Sequence, residues 1–117
     1  MRTSYLIIYI FQSLSGHYAS KTIEYIKHEG IRVYLGGIPT SLEQSGEQWD
    51  FPNAWPPLQI IVIQGLMYTN DVDAKNLAYE LAQNWVYANH KGYLETNEMF
   101  EKVRIQYFTA FDHTLFL

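Results

Sequence analysis

The clearest element of this sequence is a helix predicted for residues 71–90, DVDAKNLAYELAQNWVYANH. Asp71 is a typical N-cap, because its carboxylate can accept a backbone N–H of the first turn. Apolar residues then recur at intervals of three and four, the period of one helix face: Ala74, Leu77, Ala78, Leu81, Ala82, Trp85 and Val86. His90 and Gly92 predict the end of the helix. Since Trp85 shares the apolar face, we expect it to pack in the core.

Shorter elements are predicted on both sides of this helix. Ser20 as N-cap and Gly30 as terminator delimit a helix over residues 21–28. Residues 31–35 alternate enough for a short strand or extended segment. Residues 58–66 have little polar surface, which predicts a helix buried on most sides.

A fourth, shorter helix is predicted to begin at Thr96, with a solvated face formed by Glu95, Glu98, Glu101 and Lys102. Residues 103–117 are apolar and aromatic without a clean period. The fold class is therefore mainly α, with antiparallel helix hairpins joined by long irregular loops.

Composition excludes several classes of function. Basic residues number 8 and acidic residues 12, a net charge of −4 with no basic run, so nucleic acid is not an expected partner. The chain has no cysteine, which excludes disulfides, thiolate nucleophiles and cysteine-ligated metals. The four histidines show no paired spacing for a metal ion. The apolar run from Tyr5 to Phe11 is far too short to span a bilayer, and is either a signal-peptide core or a buried helix or strand.

The stretch with chemical content is residues 46–57, GEQWDFPNAWPP. Each proline restricts the residue before it to extended backbone, so the loop is held in shape before any ligand binds. Trp49 and Trp55 offer flat ring faces for a pyranose, and Asp50, Gln48 and Asn53 offer hydrogen-bond partners for hydroxyl groups. A packed loop with core tryptophans and backbone-bonded polar groups is the alternative interpretation, which the residue types leave open.

Residues 48–57, QWDFPNAWPP, closely resemble the second signature of the trehalases, glycoside hydrolase family 37. The similarity continues into GIPTSL at 37–42, the helix after the signature, AQNWV at 82–86 and MFEK at 99–102. It covers residues 19–102, while residues 1–18 and 103–117 diverge. The chain is thus expected to be a single partial segment of a trehalase catalytic domain.

The resemblance implies a fragment of an (α/α)6 toroid, of which this chain would supply four to five helices. Such enzymes hydrolyse α,α-trehalose to two glucose molecules with inversion, without a metal or other cofactor. The resemblance also implies that Gln48, Trp49, Asp50, Asn53 and Trp55 line or support the glucose pocket. Related animal enzymes are secreted or membrane-anchored, so an extracellular setting is implied, although the sequence alone leaves the compartment unknown.

Inverting glycosidases need two carboxyl groups roughly 6.5–9.5 Å apart. In the family, the catalytic acid lies upstream of the matched segment and the base lies in a glycine-rich stretch downstream, so neither is expected here. Glu47 and Asp50 are a poor substitute, because Gly46 and Pro52 oppose the helix that would pair them. We therefore expect no catalytic residue in this chain and no activity of the chain alone. The alternative function is a non-catalytic carbohydrate-binding or interaction fragment, with possible self-association through exposed apolar helix faces.

Overall fold

A computed structural model of the chain describes residues 16–31, 34 and 36–105. This part of the chain contains three helices, α1 (Gly16–His28), α2 (Pro56–Met67) and α3 (Val72–Thr96). Two short strands, β1 (Asn53–Ala54) and β2 (Val103–Arg104), pair in an antiparallel ribbon. The mainly α class is confirmed, while three of the expected four to five helices are present among the described residues.

The helices pack around α3, which contacts α2 most extensively and α1 to a smaller extent. One face of each helix forms the main core, whose buried members are Ile23, Ile26, Ile31, Ile38, Val62, Leu66, Ala74, Leu77, Ala78 and Leu81. The alanines on α3 keep this side of the helix narrow, so that the larger side chains of α2 and α1 fit against it. The predicted core face of α3 is thereby confirmed at Ala74, Leu77, Ala78 and Leu81, whereas Val86, predicted on the same face, is exposed.

The bounds of α1 and the burial of α2 differ from prediction. Helix α1 begins at Gly16, so Ser20 lies inside the helix and is not its N-cap. Gly30 follows the helix with φ +66°, the left-handed conformation of a helix terminator. Helix α2 is not buried on most sides: its buried side chains are Gln59, Val62 and Leu66, whereas Ile60 is exposed. The apolar outer side of α2 has no covering element in the described part of the chain.

Helix α3 continues past its predicted end. His90 and Gly92 lie within the helix, and Gly92 is buried. The helix ends at Thr96, and Asn97 follows in the left-handed conformation with φ 59°. The fourth helix predicted from Thr96 is therefore wrong, because the chain after Asn97 turns back toward β1 and pairs with it as β2.

The ribbon closes a second, smaller core of Tyr34, Ala54 and Ile105, with Trp85 and Phe51 packed against it. Of residues 31–35, expected to form a short strand or extended segment, the structure describes only Ile31 and Tyr34, and neither lies in a strand. The Ile31 carbonyl accepts the N–H of Tyr34 (3.3 Å). The run from Tyr5 to Phe11 and most of residues 103–117 lie outside the described residues. None of the described helices is both long enough and apolar enough to cross a membrane.

Candidate functional site

The loop of residues 46–57 is anchored by one buried amide on α2. The Gln59 side chain is 1% exposed. Its Oε1 accepts the N–H of Ile38 (2.8 Å), and its Nε2 donates to the Ile38 carbonyl (2.7 Å) and to the Trp55 carbonyl (3.4 Å). The Gln59 side chain thus bonds both backbone polar groups of Ile38, as a neighbouring strand would. It also joins residues 36–41 to the end of the loop.

The segment at residues 36–41 approaches α3 more closely than a side chain would allow. Gly37 has φ +114°, and a Cβ at that position would lie 2.7 Å from Cε3 of Trp85 and 2.9 Å from Oε1 of Gln59. Glycine is therefore required here both by backbone conformation and by space. The close approach places residues 38–41 beside the loop that carries the tryptophans.

The two tryptophans of the loop form a stacked pair. Their ring centroids are 4.1 Å apart and the rings are inclined by 23°. Trp55 is 7% exposed and its Nε1 donates to the Gln48 carbonyl (3.2 Å), whereas Trp49 is 53% exposed. Trp55 has φ −119° and ψ 138°, the extended backbone expected before Pro56. The buried ring thus supports the exposed one.

Asp50 binds the segment that precedes the loop. Its carboxylate oxygens accept hydrogen bonds from the hydroxyls of Ser41 and Ser45. These bonds, first that of Ser41 and then that of Ser45, lower the pKa of Asp50 below its ordinary value of 3.8, because they stabilise the ionised carboxylate. Asp50 therefore carries a negative charge at neutral pH, with each oxygen already bonded to a serine of the preceding segment.

Asn53 and Gln48 complete the five residues that the sequence assigned to the site. Asn53 is 9% exposed and closes the turn, since both its N–H (3.0 Å) and its Nδ2 (3.1 Å) donate to the Asp50 carbonyl. The Gln48 side chain is exposed. The structure thus brings all five into one turn, of which Gln48 and Trp49 face outward while Asp50, Asn53 and Trp55 bond or pack within the protein.

Sequence reasoning did not identify four residues that shape this loop: Ser41, Ser45, Gln59 and Lys102. An amide in the otherwise apolar α2 was a usable signal for Gln59, because a buried polar group needs partners. Lys102 was assigned to a solvated helix face, which is wrong: it is partly buried, and its Nζ lies 5.6 Å from the centroid of a Trp55 ring. Only the pairing of β1 with β2 brings these two together.

Within the described residues, no group of three or more His, Cys, Asp or Glu side chains is placed to hold a metal ion. An open cleft of about 480 Å³ lies beside the loop, between Pro56, the outer side of α3 and residues 99–100. Trp85, Val86 and Tyr93 contribute to its mostly apolar lining, which suits a protein side chain better than a polyhydroxylated sugar.

Comparison with known proteins finds trehalases among the similar sequences. The chain is 56% identical over 85 residues to a trehalase of Apis mellifera, a match that covers 73% of this chain and 14% of that protein. It is 52% identical over 83 residues to a trehalase of Tenebrio molitor, covering 71% of this chain and 15% of that protein. A trehalase of Homo sapiens is 46% identical over 84 residues, a match that covers 72% of this chain and 14% of that protein. The chain thus spans about one seventh of the length of these relatives.

The family model named Trehalase matches residues 6–113, nearly the whole of this 117-residue chain. The matched range contains the three helices, the ribbon and the tryptophan loop. The chain belongs to the trehalase family of glycoside hydrolases.

Proposed function

We propose that this chain is a segment of a trehalase catalytic domain, with residues 19–102 as the family-like part. In the whole enzyme, that domain is an (α/α)6 toroid that hydrolyses α,α-trehalose to two glucose molecules with inversion. Membership of the family and the three relatives named as trehalases support this proposal. The coverage of only 14% of the honeybee relative agrees with one part of a larger barrel.

In this proposal, Trp49 provides the surface on which a glucose ring lies. The observation that carries it is the stacked pair, in which a buried Trp55 supports a Trp49 that is 53% exposed. An aromatic face that is fixed before binding loses little conformational entropy when a sugar packs against it. Gln48, next to Trp49 and exposed, supplies an amide for sugar hydroxyls. Asp50, Asn53 and Trp55 support the pocket by holding the loop in shape.

The geometry of Asp50 and Glu47 argues against their acting as a catalytic pair. A general acid at a glycosidic oxygen needs a raised pKa, so that it is protonated at working pH. Asp50 has the opposite shift, and both its oxygens are bonded to serines. Glu47 is exposed and lies in a turn with Asp50, not on a common helix face. The chain alone is therefore inactive, and the acid and base come from other parts of the enzyme.

A non-catalytic role as a carbohydrate-binding or interaction fragment is the second candidate, favoured by the exposure of Trp49 and by the apolar outer sides of α2 and α3. The two candidates differ in whether the isolated chain must bind a ligand. The fragment function requires binding by the isolated chain, whereas a catalytic-domain segment contributes only part of a pocket.

The test combines binding and turnover on the purified chain. Trehalose and glucose are titrated while tryptophan fluorescence is recorded, with maltose as the control sugar. Trp49→Ala is expected to weaken trehalose binding by about two- to tenfold, while Tyr68→Ala, an exposed aromatic on the α2–α3 turn, leaves it unchanged. Glucose release from trehalose is expected to equal the protein-free blank. Specific turnover would contradict the absence of catalytic groups, and equal binding by Trp49→Ala would contradict the role of Trp49.

A further inference from the structure

Lys102 and Trp55 face each other because of the strand register. Asn53 pairs with Arg104 and Ala54 with Val103, so the next pair in the same register is Trp55 with Lys102. The N–H of Ile105 donates to the Pro52 carbonyl (2.6 Å), which extends the same register at the other end. Residues directly opposite on an antiparallel pair project to the same side and interact.

The contact between them has the geometry of a cation–π interaction. The Lys102 ammonium lies 5.6 Å from the centroid of a Trp55 ring, within the distance at which the indole quadrupole attracts a cation. Lys102 is partly buried, and no ion pair joins it to a carboxylate in the part of the chain that the structure describes. The indole is thus its principal electrostatic partner on the ribbon.

We propose that Lys102 is a positioning residue, which fixes the Trp55 ring through this cation–π contact and thereby sets the orientation of Trp49. Trp55 touches Trp49 at a centroid distance of 4.1 Å, so a rotation of the supporting ring tilts the exposed one. The consequence for sugar binding rests on the proposed function of Trp49. The positioning itself is independent of any ligand.

The test must separate the effect of the Lys102 charge from the effect of its apolar stem, because the methylene groups of a lysine also pack on aromatic rings. Lys102→Arg keeps a charge and a planar group that stacks on indole, whereas Lys102→Met keeps an apolar stem and loses the charge. Lys75→Met is the matched control, since Lys75 is exposed on α3, remote in sequence from the ribbon. Trp49→Phe removes one indole of the pair, so the difference between its circular-dichroism spectrum and that of the unmodified chain is the signal of the stacked pair.

The readout is the bisignate circular-dichroism couplet that two stacked indoles give, recorded on the full 117-residue chain without ligand. We expect Lys102→Met to shift the stacking equilibrium about two- to fivefold toward unstacked rings, while Lys102→Arg and Lys75→Met retain the couplet. An unchanged couplet in Lys102→Met, or its loss in Lys102→Arg, would overturn the proposal.

A second measurement needs no variant, and it tests the contact between Lys102 and Trp55 even if Lys102→Met fails to fold. In the unmodified chain, ring currents should move the NMR signals of the Lys102 ε-methylene protons upfield of those of Lys75. Coincident signals would overturn the contact. Trehalose titration separates the two proposals: equal, measurable binding by the unmodified chain and by Trp49→Ala counts against the sugar role of Trp49, whereas the couplet and the ring-current shift judge Lys102.

Discussion

Asp50 shows how one ionised side chain holds this loop together. Its hydrogen bonds from Ser41 and Ser45 lower the pKa of the folded state below the ordinary value of 3.8. A group whose pKa is lower when folded stabilises the fold at pH values above its unfolded pKa. This stabilisation is therefore complete well above pH 3.8 and decreases as the pH falls below 3.8 toward the folded pKa.

We predict that Asp50→Asn removes this contribution. The variant should be less stable than the unmodified chain at about pH 6, and the difference should shrink as the pH falls toward about 3. Denaturant unfolding across that range measures it. Glu47→Gln, a neutralisation in the same turn at a side chain exposed to solvent, is the control and should leave the pH dependence unchanged. A constant difference at all pH values would show that the Asp50 carboxylate does not act through its ionisation.

Gln59 carries the second prediction at this scale. Gln59→Leu keeps the size of a buried side chain but leaves the N–H and carbonyl of Ile38 without their partners. Each unsatisfied buried group costs about 1–3 kcal/mol, so for these two groups we expect a loss of about 2–6 kcal/mol in the free energy of unfolding. Faster hydrogen exchange of the Ile38 amide should accompany it.

Gln64→Leu on the exposed side of the same helix is the control, and its expected effect is within about 0.5 kcal/mol. If both leucine variants lower the free energy of unfolding equally, the loss comes from a change in α2 itself and not from the hydrogen bonds between Gln59 and Ile38.

At the scale of elements, the sequence predicted the existence of the helices better than their ends. The apolar period of α3 is long and regular, and the structure confirms it. Gly92 predicts a helix end by its weak helix propensity, yet it is a buried residue inside α3. Asn97, a residue type that tolerates the left-handed conformation, was the available signal for the true end.

The candidate site was also only partly predictable from the sequence. The ten residues of the signature identified the tryptophan loop directly, because their order is unusual. The stack of Trp49 on Trp55 and the pairing with Lys102 depend on how residues 53–54 and 103–104 meet, far apart in sequence. Strands of two residues have no period to read, so the ribbon and its register were not predictable from pattern.

The contact between residues 36–41 and α3 gives a prediction for a pair of glycines. Gly46→Ala imposes a positive φ of +86° on alanine but meets no atom within 4 Å, so it should cost about 1–2 kcal/mol. Gly37→Ala adds a contact of 2.7 Å with the Trp85 ring, and we expect a loss about 1–3 kcal/mol larger. Thermal or denaturant unfolding of both variants measures the difference. Equal losses would show that Trp85 moves aside freely.

At the scale of the whole molecule, α3 has apolar residues on two opposite faces. The inner face forms the core, while Tyr79, Val86 and Tyr93 recur every seven residues on the outer side and are 65%, 64% and 42% exposed. Three tyrosines on this side, Tyr79, Tyr87 and Tyr93, together expose a surface of roughly 300 Å², if a tyrosine has about 200 Å² of surface. This area is similar to that of the largest apolar patch on many monomeric proteins. A helix with two apolar faces is typical of the interior of a larger assembly of helices.

We therefore predict that the isolated chain associates with itself as its concentration rises, through the outer side of α3. The side chains of Tyr79, Val86 and Tyr93 carry no charge, so these residues of two copies meet without mutual repulsion. Val86→Glu places a charge at its centre and should weaken association at least about tenfold, because the carboxylate would be buried without a partner. Sedimentation velocity over a concentration series measures the shift. Asn70→Glu adds the same charge at an exposed position between α2 and α3, and should associate like the unmodified chain. A monomer at every concentration, or equal weakening by both substitutions, would mean that this face does not mediate contact.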